Sequence, residues 1–226
     1  YSQQTYEENF SPTRLIKDIK SVKEKDIESE IPDHDVLLAG FPCQPFSRAG
    51  ISNRKFLKRS QGVEDKDQGD LFFNILNILK IKKPKAFILE NVQNLRTYQN
   101  GEILEQMLKK LRKNYYVPEP EVLDAQDFGL PQRRKRIFIV GFLNFNGKFN
   151  YPKPTFKKTI IKDFLDSYPP KKYIISDLLW DSHQKRKIKN RKAGKGFGFR
   201  MSYPTDKATV TISARYYKDG SECLLY

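Results

Sequence analysis

Cysteine and histidine are scarce in this 226-residue chain, which has two of each. Cys43 and Cys223 lie far apart and show no CxxC spacing. That excludes a disulfide framework and the usual zinc ligand sets, so no metal is expected. It fits a reducing, cytoplasmic location. His34 and His183 have no partner at ligand spacing and read as structural or exposed. No apolar run approaches the ~18 residues of a membrane span, so neither a transmembrane helix nor a membrane partner is expected. The opening stretch, YSQQTYEENF, lacks the basic and apolar regions of a signal peptide and has no initiator Met. Acid is the minority charge: 27 Asp and Glu stand against 42 Lys and Arg, a formal net charge of +15. An excess that large points to a polyanionic partner, most simply nucleic acid.

What is present is organised around one of the two cysteines. The apolar run DVLLA (residues 35–39) reads as a buried parallel strand, and GFPCQPFS follows it. Pro42 and Pro45 bracket Cys43 and Gln44, fixing the backbone and barring a helix from starting at once. A thiol at the carboxyl end of such a strand sits where open α/β sheets build their active sites. Before it, residues 1–34 read as part of a helix, a short strand near Leu15–Ile19 and a charged connection. After it, residues 48–69 form a long polar loop, of a length that is usually functional.

Apolar residues at 72, 75, 76 and 79 have helical spacing over residues 71–81. AFILE (86–90) is a second buried strand, Asn100-Gly101 a turn, and residues 102–112 a second helix. A strand-like segment near Tyr116–Leu123 leads to the strand RIFIVGF (136–142). The order strand, helix, strand, helix, strand argues for an α/β fold, a mostly parallel sheet with helices on both faces. Composition shifts near residue 150, which divides a first domain (1–150) from a smaller loop-rich and β-rich region (151–226). That region holds a basic run, QKRKIKNRKAGKGFGFR (184–200), with eight Lys or Arg and no acid. Its tail carries a Lys-Asp-Gly turn that suggests a β-hairpin.

Three segments end at one edge of this sheet: Pro42-Cys43-Gln44, Glu90-Asn91-Val92 and the Gln132–Arg136 run. A thiol, a carboxyl and guanidinium groups therefore converge. Singly, each has a bland reading as core filler, helix cap or solvated face. Together they resemble the DNA (cytosine-5)-methyltransferases. The matching stretches are DVLLAGFPCQPFSRAG, GDLFFNILNILKIKKPKAFILENVQNL and DAQDFGLPQRRKRIFIVGF. They keep the family's order and approximate spacing across most of residues 1–145. The resemblance implies a Rossmann-like sheet and methyl transfer from S-adenosylmethionine to carbon 5 of a flipped cytosine in double-stranded DNA. It makes Cys43 the nucleophile on carbon 6, since a thiolate adds reversibly to carbon. Glu90 would hold ring nitrogen 3 and the exocyclic amine, and Arg136 the ring carbonyl. Arg134 and Gln44 join that set, and Asn91 would orient the loop. Asp18 and Ile19 match positions at the cofactor's adenine; Pro42 and Leu71 match positions at its other end.

The region after residue 150 corresponds to the family's target-recognition region. Its basic run would neutralise phosphates. Arg200, Arg215 and Lys218 are candidate readers of guanine edges. Thr211 and Ile212 match a Thr-Leu-like pair near the flipped base. GKGFGFR…TISARYYKDGSE is similar to recognition regions of bacterial enzymes acting on CC…GG-type sites, which implies the modification half of a restriction–modification system. Methylation of tRNA cytosine and a non-catalytic DNA-binding remnant are the alternatives. The family's glycine-rich cofactor loop would precede residue 1, whereas the first glycine is Gly40. A final Gly-Asn-x-Val helix would follow residue 226. The expectation is a central piece of an enzyme, or one half of a split one with a complementing chain. Alone, it would be inactive and bind the cofactor weakly.

Overall fold

The computed structural model describes residues 2–12, 14–41, 69–155, 159–195, 198–212 and 223–226. Cys43 and its neighbours Pro42 and Gln44 lie outside the described residues. The described residues fall into two compact units, one within 1–122 and 136–151, the other within 123–135 and 152–226.

The first unit begins with helix α1 (Ser2–Asn9) and the one-turn α2 (Ile27–Glu30). Strand β1 (Val36–Gly40) follows, then α3 (Gly69–Lys82), β2 (Ala86–Val92) and α4 (Glu102–Leu111). Helix α3 buries Phe72, Ile75 and Leu79, as its spacing requires. It stops where Lys83 takes φ 48° ahead of Pro84. Helix α4 buries Ile103, Leu104, Met107, Leu108 and Leu111. Its first turn holds Glu102 and Glu105 and its last Lys109 and Lys110, which suits the helix dipole. The chain turns into it through Asn100 and Gly101, at φ 56° and 87°. Strands β3 (Glu121–Asp124) and β4 (Lys135–Phe142) complete a sheet of order β1-β2-β4-β3.

Strand β1 pairs parallel to β2, with Gly40 opposite Glu90. Strand β4 runs antiparallel to β2, with Phe138 opposite Glu90 and Arg136 opposite Val92. The expectation of a mostly parallel sheet is corrected here to a mixed one. Apolar patterning marks which strands are buried, not which way they run. Strand β3 also lies between α4 and β4 in the chain, so α4 is not a direct crossover from β2 to a parallel neighbour.

Phe87, Leu89, Ile137 and Ile139 share one face of the sheet and join a single core cluster with α3 and α4. On the other face Val36 and Leu38 are 50% and 69% exposed. Among the described residues both long helices of this unit therefore cover the same face, not both faces.

Three local readings change as well. No strand forms near Leu15–Ile19. Asp18 instead caps a 3₁₀ turn at Ile19–Ser21, its Oδ1 accepting from the Lys20 N–H at 3.0 Å, the local competition typical of Asp. Of the segment Tyr116–Leu123 only the end is strand, because Pro118 and Pro120 cannot donate to a ladder. In the second unit, which reads as loop-rich and β-rich, helix α5 (Asp177–Lys192) takes in the first half of the basic run. Ser176 caps it by accepting from Leu179 N–H, and Gly194 at φ 65° follows its end. Phe199 packs against Trp180 at 4.9 Å, under the Lys187 ammonium at 4.3 Å. Strands β5 (Arg200–Ser202) and β6 (Cys223–Leu225) pair in parallel. The Lys-Asp-Gly turn lies outside the described residues.

Candidate functional site at the strand ends

Glu90 sits near the end of β2, opposite Phe138 of antiparallel β4. Arg136 is two residues before Phe138, so both side chains project from the same face as diagonal neighbours. Their lengths close that gap: Arg136 Nε lies 2.7 Å from Glu90 Oε1, a charge-assisted contact. The guanidinium side chain is the more enclosed of the two, at 19% exposure against 34% for the carboxylate. Glu90 Oε2 reaches across to β1, where a Cβ on Gly40 would stand 3.4 Å from it. Glycine there keeps the surface beside the carboxylate flat.

Asn91 faces the opposite way and is 2% exposed. Its Nδ2 donates to the Phe41 carbonyl at 3.3 Å, and its Oδ1 accepts from Val92 N–H at 2.8 Å. Asn91 thus fixes the residue at which the chain leaves β1, one position ahead of Pro42. Glu90, Asn91 and Arg136 are brought together with Gly40 and Phe41. Arg134 is exposed and belongs to the other unit. Phe41 was not singled out in the sequence, because a backbone acceptor leaves no mark on residue type.

For a nucleoside cofactor the described candidates are Asp18, Ile19 and Leu71. Asp18 is exposed, while Ile19 and Leu71 are half-buried. A carboxylate can accept from an adenine amine and an aliphatic side chain can pack on its ring face, so the residue types suit such a group; Asp18 Oδ1 is already engaged with the Lys20 N–H. Among the described residues no cluster of His, Cys, Asp or Glu could hold a metal ion, and no helix is long and apolar enough to cross a membrane.

In the second unit Arg200 is exposed on β5 and Ile212 is 41% exposed. Thr211 Oγ1 donates to the Arg133 carbonyl at 2.6 Å. Arg215 and Lys218 lie outside the described residues. The basic run is not all available to a partner. Arg186 Nη2 bonds His183 Nδ1 at 2.9 Å, and Lys187 is spent on Phe199. Two further buried polar residues, Asp124 and Thr209, went unnoticed in the sequence.

The model of the C-5 cytosine-specific DNA methylase family matches residues 1–224. The type II methyltransferase M.NlaX of Neisseria lactamica is 47% identical over 225 residues, which is all of this chain and 68% of that protein. M1.ScrFI of Lactococcus lactis subsp. cremoris is 45% identical, over 98% of this chain and 54% of its own length. The chain thus spans little more than half to two-thirds of these relatives. Among solved structures, the Entamoeba histolytica methyltransferase EhMeth has a TM-score of 0.64 at 21% identity, covering 95% of this chain and 60% of its own. The S. pombe Dnmt2 methyltransferase has a TM-score of 0.62 at 19% identity, with the same coverage. These structural likenesses establish the fold.

Proposed function

Because the chain belongs to the C-5 cytosine-specific DNA methylase family, we propose that the protein containing it methylates carbon 5 of a cytosine flipped out of duplex DNA. Residues 1–150 would form part of the catalytic domain, with a Rossmann-like sheet, and residues 151–226 part of the target-recognition region. The observation that carries this reading is the 2.7 Å pairing of Glu90 with Arg136, beside the carbonyl that Asn91 holds. It sets a carboxylate next to a guanidinium at one end of the sheet. Cytosine presents a carbonyl oxygen, a ring nitrogen and an amine in a row on one edge. The guanidinium donates to the oxygen and the carboxylate accepts from the amine. Thymine and uracil put a second carbonyl where the amine would be, and the carboxylate would repel it.

In this scheme the Cys43 thiolate adds to carbon 6, which makes carbon 5 nucleophilic. Arg136 stabilises the charge that develops on the carbonyl oxygen. After carbon 5 is methylated, its proton leaves to base and the thiolate departs, restoring the ring. S-adenosylmethionine, when bound, supplies the electrophilic methyl group. Asp18, Ile19, Pro42 and Leu71 would hold it. Arg200, Thr211, Ile212, Arg215 and Lys218 would contact DNA, with the remaining basic side chains of α5 on phosphates. In a bacterial host the enzyme would act in the cytoplasm as the modification half of a restriction–modification pair.

Covalent trapping tests this. The intact gene product is incubated with S-adenosylmethionine and duplex DNA carrying 5-fluorocytosine at every cytosine, so that all sites are offered. The fluorine cannot leave as the proton does, so the adduct persists. A denaturation-resistant complex is expected, and Cys43→Ser abolishes it. No complex on this DNA, or one formed only on fluorinated RNA, would sink the proposal.

A further inference from the structure

Asp124 is the last residue of β3 and is 5% exposed. A buried carboxylate is costly unless its oxygens are satisfied, and this one is. Its Oδ1 accepts from the Gln126 N–H at 3.3 Å and from the Arg134 N–H at 3.0 Å. Its Oδ2 accepts from Gln126 Nε2 at 3.2 Å. The side chain therefore grips the chain at two places, at the start of the 3₁₀ turn Ala125–Phe128 and again at Arg134. The Ala125 N–H also donates to the Arg134 carbonyl at 3.1 Å, which closes the intervening loop on itself.

The other side of this loop is held by the recognition region. Thr209 N–H donates to the Pro131 carbonyl, and Arg133 N–H to the Thr209 carbonyl, each at 2.9 Å. Thr209 Oγ1 reaches the Pro131 carbonyl at 3.3 Å, and Thr211 Oγ1 reaches that of Arg133. Gln132 and Thr209 form a parallel bridge. The segment 131–134 thus lies between a buried carboxylate and the extended stretch Thr209–Thr211. It feeds directly into β4, which carries Arg136.

We propose that Asp124 is a positioning residue, which together with Thr209 sets segment 131–134 so that Arg134 and the start of β4 are placed for the reaction. The proposal rests on the methyltransferase reading above. A solely structural staple would give the same bonds but a different response to substitution. Asp124 touches no substrate group; it acts through the backbone of Arg134. Removing it should leave DNA affinity in place and slow the chemical step, because only the chemical step requires the guanidinium groups within a few tenths of an ångström.

The test is single-turnover methyl transfer from labelled S-adenosylmethionine to unmethylated genomic DNA, which offers every short site, using the intact gene product. Asp124→Ala is expected to lower the rate at least tenfold while the DNA dissociation constant stays within threefold. Asp124→Asn keeps an Oδ1 for both main-chain donors, and the Gln126 amide can rotate to meet the new amide; it should recover to within threefold of the parent rate. Thr209→Val, which keeps the backbone pairing and loses only the hydroxyl, serves if Asp124→Ala does not fold. It should slow transfer severalfold at unchanged affinity. If the two substitutions act on one loop, their combined effect is smaller than the product of the separate effects. An active parent whose Asp124→Ala form stays within twofold overturns the proposal, as does a rate loss matched by an equal loss of affinity. For Thr209→Val alone, a parent-like rate overturns it. A parent that transfers no methyl group at all overturns the methyltransferase reading itself, and the positioning role falls with it.

Discussion

The two units hold together in different ways. The first has one apolar cluster in which Phe87, Leu89, Leu95 and Leu108 have no accessible surface. Among its described residues the second has few buried apolar side chains, Ile161, Phe199 and Leu224 being the large ones. Its interior also includes Asp124, His183, Ser202 and Thr209. Apolar burial is non-directional and tolerant of small shifts, whereas a polar interior specifies geometry bond by bond. The unit carrying Glu90 is built like a rigid platform. The unit carrying the basic helix and Thr211 is built from directed contacts, each costly to leave unmade.

The largest effect expected from this contrast is at Phe87. Its ring stands edge-on to Tyr115 at 5.1 Å and fills the space over Gly141, where a Cβ would lie 2.2 Å from it. Phe87→Ala should cost about 3–5 kcal/mol in urea unfolding, the usual range for a fully buried ring. The corresponding ring in the second unit is Phe199, 8% exposed against Trp180, and Phe199→Ala should cost less, about 3 kcal/mol. Trp180 is the chain's only tryptophan, so its emission reports the second unit. Phe199→Ala should move the tryptophan transition and leave most of the far-ultraviolet signal of the first unit in place. If both variants shift one common transition by the same amount, the units unfold together and the contrast is wrong.

How much of this was legible in the sequence differs between the units for the same reason. Helices α3 and α4 and strands β2 and β4 were readable because apolar spacing reports burial, and burial dominates there; β1 was read as a buried strand and forms, but Val36 and Leu38 are exposed. The approach of Glu90 and Arg136 was foreseen as a meeting at strand ends, although the antiparallel register that brings them together was not. Strand direction leaves no trace in the pattern of apolar residues. Helix α5 was missed because its basic surface hides the pattern: His183 is its one fully buried residue. Its cap at Ser176 and its acidic first turn at Asp177 were the available signals. Asp124 was missed because an acidic residue ending a strand is ordinarily solvated. Only its bond to Arg134, ten positions later, sets it apart.

The smallest effect expected is a pH dependence that separates the units by where it begins. In the first unit burial pushes the Tyr115 and Tyr151 phenols up to about 12 from their ordinary 10.0. Tyr115 donates to the Leu79 and Pro84 carbonyls, and Tyr151 to that of Phe138. The folded values are raised, so the unfolded chain gives up these protons first. Stability from these phenols is whole below about pH 10 and drains as pH rises towards 12. In the second unit burial raises the Cys223 thiol above its ordinary 9.0, with Thr209 and Ser202 hydrogen bonds opposing that in part. Its contribution has the same sign but begins to fall near pH 9. Melting followed by Trp180 emission should therefore weaken at a lower pH than melting followed by backbone signal. Cys223→Ala should remove the early part of the tryptophan curve's slope, and Tyr151→Phe should flatten the backbone curve between pH 10 and 12. If Cys223→Ala leaves the tryptophan curve unchanged between pH 9 and 10, the thiol ionises alike in the folded and unfolded chain, and the second unit owes none of its alkaline sensitivity to it.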